Sequence, residues 1–392
     1  MKKVGIMSMQ RIANYGSFLQ AYALKQLIEE LNCKVEFVDY HIGALVITEN
    51  ADSKNKFIRK LKKGLDTFQY QAPMAHKLAF IRYKQSFAKK YMPFLGIKDE
   101  MNFNPVLDCL VIGSDEVFNC IQKNSNVGYS TELFGKDNHA ERLITYAASF
   151  GNTTLEKLDK YKKADEVGTL LKQFDEISVR DANSGAIVEK LTGKAPVYNL
   201  DPVLTYDYMN CCDKVPQIQS NERYLILYAY AGRISNQEAD WIATYAKKKN
   251  LKVYAIGGIQ KCADRFIDCS PFEVLAYFKN AEEVITDTFH GSIFSIITHR
   301  PFTTLVRESK GDSYGNEEKL SDLLNRLQLS SQMTMQIEDV ENINAQNIDY
   351  IKVDELLKAH REVAREYLRT NLEGSNGEYI EDKRKMCRMQ KL

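Results

Sequence analysis

The chain has 392 residues, more than one ordinary hydrophobic core accommodates, so two domains are expected. Hydrophobic residues make up 44% and charged residues 27%, a composition typical of a soluble globular protein rather than a disordered or fibrous one. The 53 Lys and Arg residues balance 52 Asp and Glu residues, so no global positive field would recruit nucleic acid or an anionic membrane. We therefore expect no nucleic-acid partner.

The sequence predicts neither a leader nor a membrane span. The apolar run that begins at Met1 ends at Gln10-Arg11, too soon for the hydrophobic segment of a signal peptide. No stretch of about 18 consecutive apolar residues occurs elsewhere. We therefore expect a cytoplasmic protein without a membrane span.

The eight cysteines are scattered without CxxC spacing, and the six histidines are equally dispersed. Such spacing favours reduced, structural thiols, as for Cys109 within an apolar run, and offers no local cluster of metal ligands. We expect neither a metal site nor a bound cofactor.

The first half of the chain alternates strand and helix patterns, which is typical of a parallel, doubly wound sheet. Short apolar runs predict strands, and apolar residues at helical spacing predict helices. The predicted strands are Lys3–Met9, Lys34–Asp39, Leu107–Gly113, Arg142–Ala148, Glu176–Val179 and Val197–Leu200, and the predicted helices are Ser17–Leu31 and Ala182–Leu191. Together they predict a Rossmann-like domain over residues 1–212.

Residues from about 41 to 100 are predicted to form a helical insertion in this domain. Its central part, Ser53–Met92, mixes Lys and Arg with Phe, Tyr and Leu and would form one or two helices. One interpretation is a solvated amphipathic helix pair. The other is an excursion that binds an acceptor or a membrane surface.

The alternation restarts after a polar stretch at residues 213–222. The predicted strands are Arg223–Tyr230, Lys252–Ile256, Glu283–Thr286 and Pro301–Val306, and the predicted helices are Asn236–Lys249, Pro271–Asn280 and His290–Thr298. They predict a second Rossmann-like domain over residues 213–330. Residues 331–392 predict a helical extension, with its main helix at Asp354–Leu368, that packs back on the domains and frays at its end.

The predicted fold is therefore α/β, with two Rossmann-like, doubly wound domains facing each other across a cleft. Ligands of such sheets bind beyond the carboxyl ends of the strands. The residues that follow the strands of the first domain suit a polar ligand, and they are Asn14, Gly16, Ser17, Ser114, Asp115, Ser149, Phe150, Arg180 and Asp201.

Local structural roles compete with ligand binding at several of these positions. The turn from Asn14 to Ser17 is also a plain helix cap, and Asp115 is equally suited to capping. Arg180 offers a planar fork for a carboxylate or phosphate, or it forms a surface pair with Asp181. Asp201 is either a turn residue or a polar group in the cleft.

The most informative segment of the second domain is Asp287-Thr288-Phe289-His290-Gly291, between an apolar strand and a helix. Unpaired backbone N–H groups and the helix dipole at such an N-terminus favour a bound anion. A lone histidine at a helix start is otherwise a hydrogen-bonded structural residue. The position of His290 opposite Arg180 in the predicted cleft favours an acid–base role instead.

Several common sites find no support in the sequence. The turn after the first strand is neither a GxGxxG fingerprint nor a Walker A motif, which disfavours nicotinamide or ATP binding in those modes. No GxSxG or Cys–His signature supports nucleophilic catalysis.

Taken together and in this order, the segments at the strand ends resemble the polysaccharide pyruvyl transferase family. The resemblance covers roughly residues 3 to 330, and residues 41–100 and the tail after 330 carry no family signature. The matching segments are Asn14-Tyr15-Gly16-Ser17 through Ala21 and Leu24, Gly113-Ser114-Asp115, Tyr146–Gly151, Ser178-Val179-Arg180-Asp181, Asp201–Leu204 and Asp287–Gly291.

The resemblance implies two domains arranged as in the GT-B glycosyltransferases. It also implies transfer of a pyruvyl group from phosphoenolpyruvate to hydroxyls of a sugar, usually as a ketal. The implied partners are phosphoenolpyruvate and a glycan acceptor from bacterial exopolysaccharide or cell-envelope synthesis, with peripheral association with polysaccharide-assembly enzymes.

The resemblance also assigns roles to residues. It implies that His290 and Arg180 act on the donor, and the ordinary pKa of histidine, near working pH, makes His290 the best candidate for an acid–base group. We expect Asp115 or Asp201 to serve as the second acid–base group. Thr288, Gly291 and Ser292 are expected to complete the donor site, while the polar residues at the ends of the other strands line the cleft.

One position departs from the family pattern. Many members have an arginine two residues before the histidine, where this chain has Thr288. The missing cation weakens donor binding, or its role moves to Arg233, Arg265 or Arg307. Two alternatives stay open: a GT-B glycosyltransferase that uses a nucleotide sugar, and an inactive homologue that binds a glycan or an anion. The departure at Thr288 favours the second of them.

Overall fold

A computed structural model describes residues 1–47, 67–307 and 316–373 of the protein. Its first half contains a six-stranded parallel sheet in the order β2-β1-β3-β4-β5-β6. The strands are β1 (Lys3–Met7), β2 (Lys34–Phe37), β3 (Cys109–Asp115), β4 (Arg142–Ala148), β5 (Ser178–Val179) and β6 (Val197–Tyr198). The central strand β3 is buried along its whole length, which explains its near-continuous apolar sequence.

Helices cover both faces of this sheet. They are α1 (Tyr15–Glu29), α2 (Met74–Leu95), α3 (Leu155–Lys160), α4 (Ala164–Leu171), α5 (Ala182–Thr192), α6 (Pro202–Thr205) and α7 (Tyr208–Cys211), with a 3-10 turn at Thr131–Phe134.

The second half has the same architecture, with a six-stranded parallel sheet in the order β12-β11-β10-β7-β8-β9. Its strands are β7 (Tyr224–Tyr228), β8 (Lys252–Ile256), β9 (Arg265–Phe266), β10 (Glu283–Thr286), β11 (Phe302–Leu305) and β12 (Met333–Thr334). Its helices are α8 (Asn236–Lys249), α9 (Pro271–Asn280), α10 (Phe289–Ile297), α11 (Glu317–Arg326), α12 (Val340–Asn344) and α13 (Tyr350–Glu373), with 3-10 turns at Ser330–Gln332 and Ile337–Asp339.

These two sheets confirm the predicted α/β fold of two doubly wound, GT-B-like domains. In each sheet the strand order reverses at one point, between β1 and β3 in the first and between β7 and β10 in the second. Connections leave such a point on opposite faces of the sheet and open a crevice at the carboxyl ends of the strands. The topology therefore gives each domain one place suited to a ligand.

Helix α1 joins the two domains through aromatic packing against α9. Phe18 and Tyr22 of α1 both contact Phe272, with ring centroids 5.7 and 5.0 Å apart and edge-to-face geometry. The Tyr15 hydroxyl donates a hydrogen bond to the Cys269 carbonyl at 2.9 Å. Buried apolar side chains continue from the first sheet through α1 into the second, so the two domains share one core.

Helix α2 is the main described element of the predicted insertion, and residues 48–66 of that prediction lie outside the described residues. Its aromatic residues pack on both domains. Tyr83 stacks at a tilt on Tyr15 of the first domain, with ring centroids 5.1 Å apart, and Phe80 packs edge-on against Phe266 of the second at 5.6 Å. Helix α2 therefore bridges the two domains.

The C-terminal helix α13 also spans both domains. Near its start, Asp354 lies 3.0 Å from the imidazole of His299 in the second domain. Near its end, the Tyr367 hydroxyl donates to the Thr145 carbonyl in the first domain at 2.7 Å. Within the described ranges, no helix combines the length and the apolarity that crossing a bilayer requires.

Candidate active site

The carboxyl ends of the two sheets enclose a cavity of about 380 Å³. It lies at both points of strand-order reversal, as doubly wound sheets predict. The first domain lines it with residues that include Asn14, Ser17, Asp115, Glu116 and Arg180, and the second domain with Tyr228, Tyr230, Arg233, Thr288, Phe289 and His290.

His290 is the second residue of α10, directly after the β10 strand end. The Thr288 side chain caps this helix by accepting a hydrogen bond from the Gly291 N–H at 2.9 Å. The His290 side chain is 12% exposed, and its Nε2 atom lies 3.7 Å from Asp201 Oδ2 of the other domain. This distance suits an ion pair but exceeds a direct hydrogen bond. His290 therefore projects from the second domain onto groups of the first.

Gly16 leaves the space that the imidazole of His290 occupies. A Cβ atom built on Gly16 would lie 2.3 Å from both Cγ and Nδ1 of the imidazole. The ring therefore rests on the backbone of α1, and only a residue without a side chain fits beneath it. Gly16, which the sequence predicts as a cleft residue, therefore contributes by letting the His290 ring lie against the backbone of α1.

Asp201 connects His290 to Arg180. Its Oδ1 atom accepts the Val203 N–H at 3.0 Å, and its Oδ2 atom accepts a hydrogen bond from Arg180 Nη1 at 3.1 Å. Burial raises the pKa of Asp201, but the adjacent His290 and Arg180 outweigh it and hold the pKa below its ordinary value. Asp201 is thus an anion that lies between Arg180 and His290.

Arg180 is 5% exposed and is held between two carboxylates. Besides Asp201, it lies 3.6 Å from Asp115 Oδ1, and its guanidinium stacks 4.5 Å from the centroid of the Phe289 ring. Burial lowers the pKa of Arg180, but Asp115 and Asp201 raise it above its ordinary value. The alternative of a surface pair with Asp181 is not observed, because the Asp181 carboxylate accepts from Ser149 at 2.6 Å and caps α5.

Asp115 ends β3 and faces the cavity. Its φ of +83° is uncommon for a residue with a side chain, and such backbone conformations concentrate at functional sites. The Ser17 hydroxyl donates to Asp115 Oδ2 at 2.9 Å. Asn14 caps α1 by accepting from the N–H groups of Gly16 and Ser17, and its amide donates to the Tyr230 hydroxyl at 2.8 Å across the cleft. The capping and cleft-lining interpretations of this turn therefore both apply.

The N-terminus of α10 offers two backbone donors to an anion. The amides of Phe289 and His290 have no acceptor among the described residues, whereas those of Gly291 and Ser292 already donate to Thr288. Gly291 and Ser292 lie buried within the helix rather than in the cavity wall, and the Ser292 hydroxyl pairs with Thr304 at 2.8 Å. The backbone amides that point to the cavity without an acceptor in the described part of the chain are therefore those of the two preceding residues, Phe289 and His290, rather than those of Gly291 and Ser292.

Three residues expected to line the cleft lie beneath it. Ser114 is fully buried and donates to the Ala147 carbonyl at 3.1 Å. Ser149 is fully buried on Asp181, and Phe150 packs in the core of the first domain. Small residues at these strand ends satisfy buried hydrogen bonds and packing, which the sequence pattern does not distinguish from exposure to a ligand.

Sequence reasoning missed several residues of the cavity. Lys319 of α11 donates to Glu116 at 2.9 Å, and this ion pair crosses the cleft. Burial raises the pKa of Glu116, but Lys319 and Arg180 lower it to about 2. Glu116 directly follows Asp115, and Tyr230 follows β7. Both could have been identified by their position just beyond the carboxyl end of a strand. Lys319 lies far from any motif.

Lys84 of α2 also lines the cavity. It lies in the inserted region, to which the family motifs do not extend, so no sequence signal identified it. Its ammonium donates to the Ala13 carbonyl at 2.9 Å.

The three arginines expected to replace the cation missing at Thr288 occupy different places. Arg233 lines the cavity and stacks on the Tyr230 ring, with 4.5 Å between its guanidinium carbon and the ring centroid. Arg265 is 58% exposed and pairs with Glu222 at 2.9 Å, while Arg307 pairs with Glu238 at 2.6 Å, and neither lines the cavity. Arg233 is therefore the arginine positioned for a ligand.

Across the ranges that the structure describes, no group of three or more His, Cys, Asp or Glu side chains is arranged to hold a metal ion. The cavity wall carries Lys84, Arg180, Arg233 and Lys319, and each of the last three has a carboxylate oxygen within 4 Å, so that Lys84 adds a positive charge to an otherwise balanced wall. This added positive charge suits an anionic ligand.

The chain is similar to solved structures at low sequence identity. The S. aureus MnaA–UDP complex has 10% identity and a TM-score of 0.49, with 95% of this chain and 97% of that chain covered. UDP-GlcNAc 2-epimerase from Neisseria meningitidis, bound to UDP-GlcNAc, has 10% identity and a TM-score of 0.44, with 95% and 100% covered. The glycotransferase of kitacinnamycin has 10% identity and a TM-score of 0.46, with 95% and 99% covered.

A search of curated proteins found no match to the chain. The family model of polysaccharide pyruvyl transferase matches residues 14–309. This range begins at the Asn14 cap and includes every residue that lines the cavity except Met9, Ile12, Ala13 and Lys319. The chain belongs to the polysaccharide pyruvyl transferase family, a family of transferases.

Proposed function

We propose that the protein transfers the pyruvyl group of phosphoenolpyruvate to two hydroxyls of a sugar in a cell-surface polysaccharide precursor, forming a ketal and releasing phosphate. The observation that supports this most is the position of His290. It reaches across the cleft to within 3.7 Å of an anionic Asp201, in a cavity lined by four lysine and arginine side chains. Membership of the family supplies the reaction class.

Donor binding follows from the charges of the cavity. Phosphoenolpyruvate carries a carboxylate and a phosphate. The amides of Phe289 and His290 and the positive end of the α10 dipole suit one of these anions. The planar guanidinium of Arg233 suits the carboxylate and takes the place of the arginine missing at Thr288. Because Arg180 is held by two carboxylates, it chiefly positions Asp201 and Asp115.

In the proposed mechanism, the protonated His290 gives its proton to the methylene carbon of the donor, and C2 becomes electron-poor. The first acceptor hydroxyl bonds to C2 and passes its proton to Asp115. The C2–O bond to phosphate then breaks, with the electron pair leaving on phosphate, which takes the proton from Asp115. The second hydroxyl bonds to C2 and returns a proton to His290. One hydroxyl proton thus ends on the new methyl group and the other on phosphate.

Asp201 and the cations have distinct parts in this scheme. Asp201 Oδ2 lies 3.7 Å from His290 Nε2 and orients the imidazole for the transfer. The lining cations stabilise the charge that collects on phosphate as its bond to C2 breaks. The aromatic side chains of Tyr228 and Tyr230 at the cavity wall suit the apolar face of a sugar ring.

The test incubates the full chain with phosphoenolpyruvate and a panel of glycans and measures phosphate release together with the mass of the modified glycan. We expect phosphate and pyruvylated product in equal amounts. His290→Ala should lower kcat by about 10²–10⁴-fold, as loss of an acid–base group does. His139→Ala, an exposed histidine in a loop, is the matched control and should retain turnover.

Near-normal turnover by His290→Ala would show that the acid–base assignment is wrong. Release of a nucleoside diphosphate from a nucleotide sugar, without use of phosphoenolpyruvate, would identify a glycosyltransferase instead. Calorimetric binding of phosphoenolpyruvate without turnover on any glycan would identify an inactive binding homologue.

A further inference from the structure

Lys84 differs from the other cations of the cavity in its electrostatic partners. Arg180, Arg233 and Lys319 each have a carboxylate oxygen within 4 Å. The Lys84 ammonium has no carboxylate at that distance in the described part of the chain. Its positive charge is therefore the one in this wall that no described acidic residue balances.

The surroundings of Lys84 leave it able to bind a ligand. One ammonium hydrogen is donated to the Ala13 carbonyl at 2.9 Å, and the ammonium lies 5.3 and 5.5 Å from the ring centroids of Tyr83 and Phe80. An ammonium has three donors, so two remain for the cavity. The Lys84 residue is exposed, and desolvation by the surrounding protein lowers its pKa to about 8.

Tertiary packing holds Lys84 at this wall. Tyr83 and Phe80, its neighbours on α2, pack on Tyr15 and Phe266 of the two domains. Ahead of the helix, Tyr70 contacts Gly232, where a Cβ atom would lie 2.6 Å from the Tyr70 ring. Gly232 precedes Arg233, so the insertion and the loop that carries the arginine are fitted together. An exposed ammonium that lies at the cavity wall without an acidic partner in the described part of the chain is available to a ligand that supplies negative charge.

We propose that Lys84 binds the phosphoryl group of the donor, an inference that rests on the proposed function and extends it to the inserted helix. An ammonium is a compact point charge that suits the three oxygens of a phosphoryl group, whereas a guanidinium matches a planar carboxylate. When the C2–O bond breaks, negative charge grows on the phosphoryl group, and an unpaired ammonium stabilises that charge more than a paired one. The inserted region thus contributes to the donor site as well as to domain packing.

The test compares wild type, Lys84→Gln and Lys84→Arg by calorimetry, with inorganic phosphate and with phosphoenolpyruvate as separate ligands at pH 7. Lys84→Gln should bind both about 10- to 100-fold more weakly, the loss expected for a hydrogen bond between charged groups. Lys84→Arg should retain most of the binding. Lys89→Gln on the same helix, exposed and outside the cavity, should bind as wild type does.

A second measurement at pH 9 separates binding by charge from a structural role. With a pKa of about 8, Lys84 is about one-tenth protonated at pH 9, so wild type should bind phosphate about tenfold more weakly than at pH 7. Lys84→Arg stays charged and should lose much less. The other charged groups that face the cavity are the same in both proteins, namely Asp115, Glu116, Arg180, Arg233, His290 and Lys319. The phenols of Tyr83, Tyr228 and Tyr230 are likewise shared.

Each outcome decides between the two proposals. If wild type turns over phosphoenolpyruvate and Lys84→Gln binds both ligands as tightly as wild type, the role of Lys84 is wrong and the proposed function stands. The role of Lys84 is also wrong, and the proposed function stands, if Lys84→Gln raises only the KM for the glycan. If phosphate binding depends on Lys84 but phosphoenolpyruvate neither binds nor reacts, the phosphoryl site stands and the proposed donor is wrong. If wild type binds neither ligand, both proposals fail.

Discussion

Replacing Gly16 with alanine should inactivate the protein by displacing His290. The new Cβ atom would lie 2.3 Å from Cγ and Nδ1 of the imidazole and 2.9 Å from its Cβ atom. Carbon atoms in contact normally keep about 3.5–4.0 Å, so the ring or the whole of α1 must move by about 1 Å or more. The contacted atoms belong to the His290 side chain, so the imidazole is the group expected to move away from α1.

The size of the effect follows from that displacement. A catalytic group misplaced by about 1 Å costs about 10²-fold in rate, and its complete removal from reach costs up to about 10⁴-fold. We therefore expect kcat to fall by at least about 100-fold. Stability should change less, because alanine gains about 0.5–1 kcal/mol over glycine within a helix and overpacking costs about 1–3 kcal/mol.

The assay measures phosphate release from phosphoenolpyruvate in the presence of the glycan, together with Tm. Gly168→Ala is the matched control, since Gly168 is also helical but its Cβ atom would meet Leu191 at ordinary contact distances of 3.5–4.0 Å. The control should keep full turnover and an equal or higher Tm. Unchanged turnover in Gly16→Ala, with the fold intact, would refute the argument that His290 acts from its seat on α1.

Two further changes test the charges of the site. Arg233→Met should raise KM for phosphoenolpyruvate about 10- to 100-fold through loss of a charged hydrogen bond. The control Arg265→Met, on the exposed edge of the sheet, should leave this KM unchanged. Equal KM values for the two variants would contradict the donor role of Arg233. For Glu116, the pKa in the folded protein is about 2 against 4.5 in a free side chain. Its contribution to stability is therefore complete above about pH 4.5 and is lost as the pH falls toward 2, and the shift corresponds to on the order of 3 kcal/mol. Glu116→Gln should lower the free energy of unfolding at pH 7 and flatten its decline between pH 5 and pH 3 in urea titrations; an unaltered pH dependence would count against the ion pair with Lys319.

Much of the fold can be predicted from the sequence because most of its longer helices and strands have a strong local pattern. Helices α8 and α9 have the predicted bounds, since each begins with a capping box and a periodic apolar face. The strands β4 and β10 also have the predicted bounds, as buried apolar runs. The strand β12, Met333–Thr334, lies beyond the expected end of the second domain at residue 330, because two residues carry no periodic signal.

The candidate site also has a part that the sequence predicts and a part that it does not. The sequence alone locates His290, Arg180, Asp115 and Asp201, since strand ends in a doubly wound sheet are positions that local patterns mark. It does not distinguish a side chain that faces the cleft from one buried beneath it, as at Ser149, because both are small polar residues at a strand end.

Tertiary structure alone decided which distant groups meet. The contact of His290 with Gly16, its approach to Asp201 and the place of Lys84 in the cavity wall all depend on how α1, α9 and α2 pack the two domains together. Such contacts join residues about 90 to 270 positions apart, over which no helical or strand period extends. Local sequence patterns determined the two domains and their strand-end residues, and packing between the domains determined the constellation that they form.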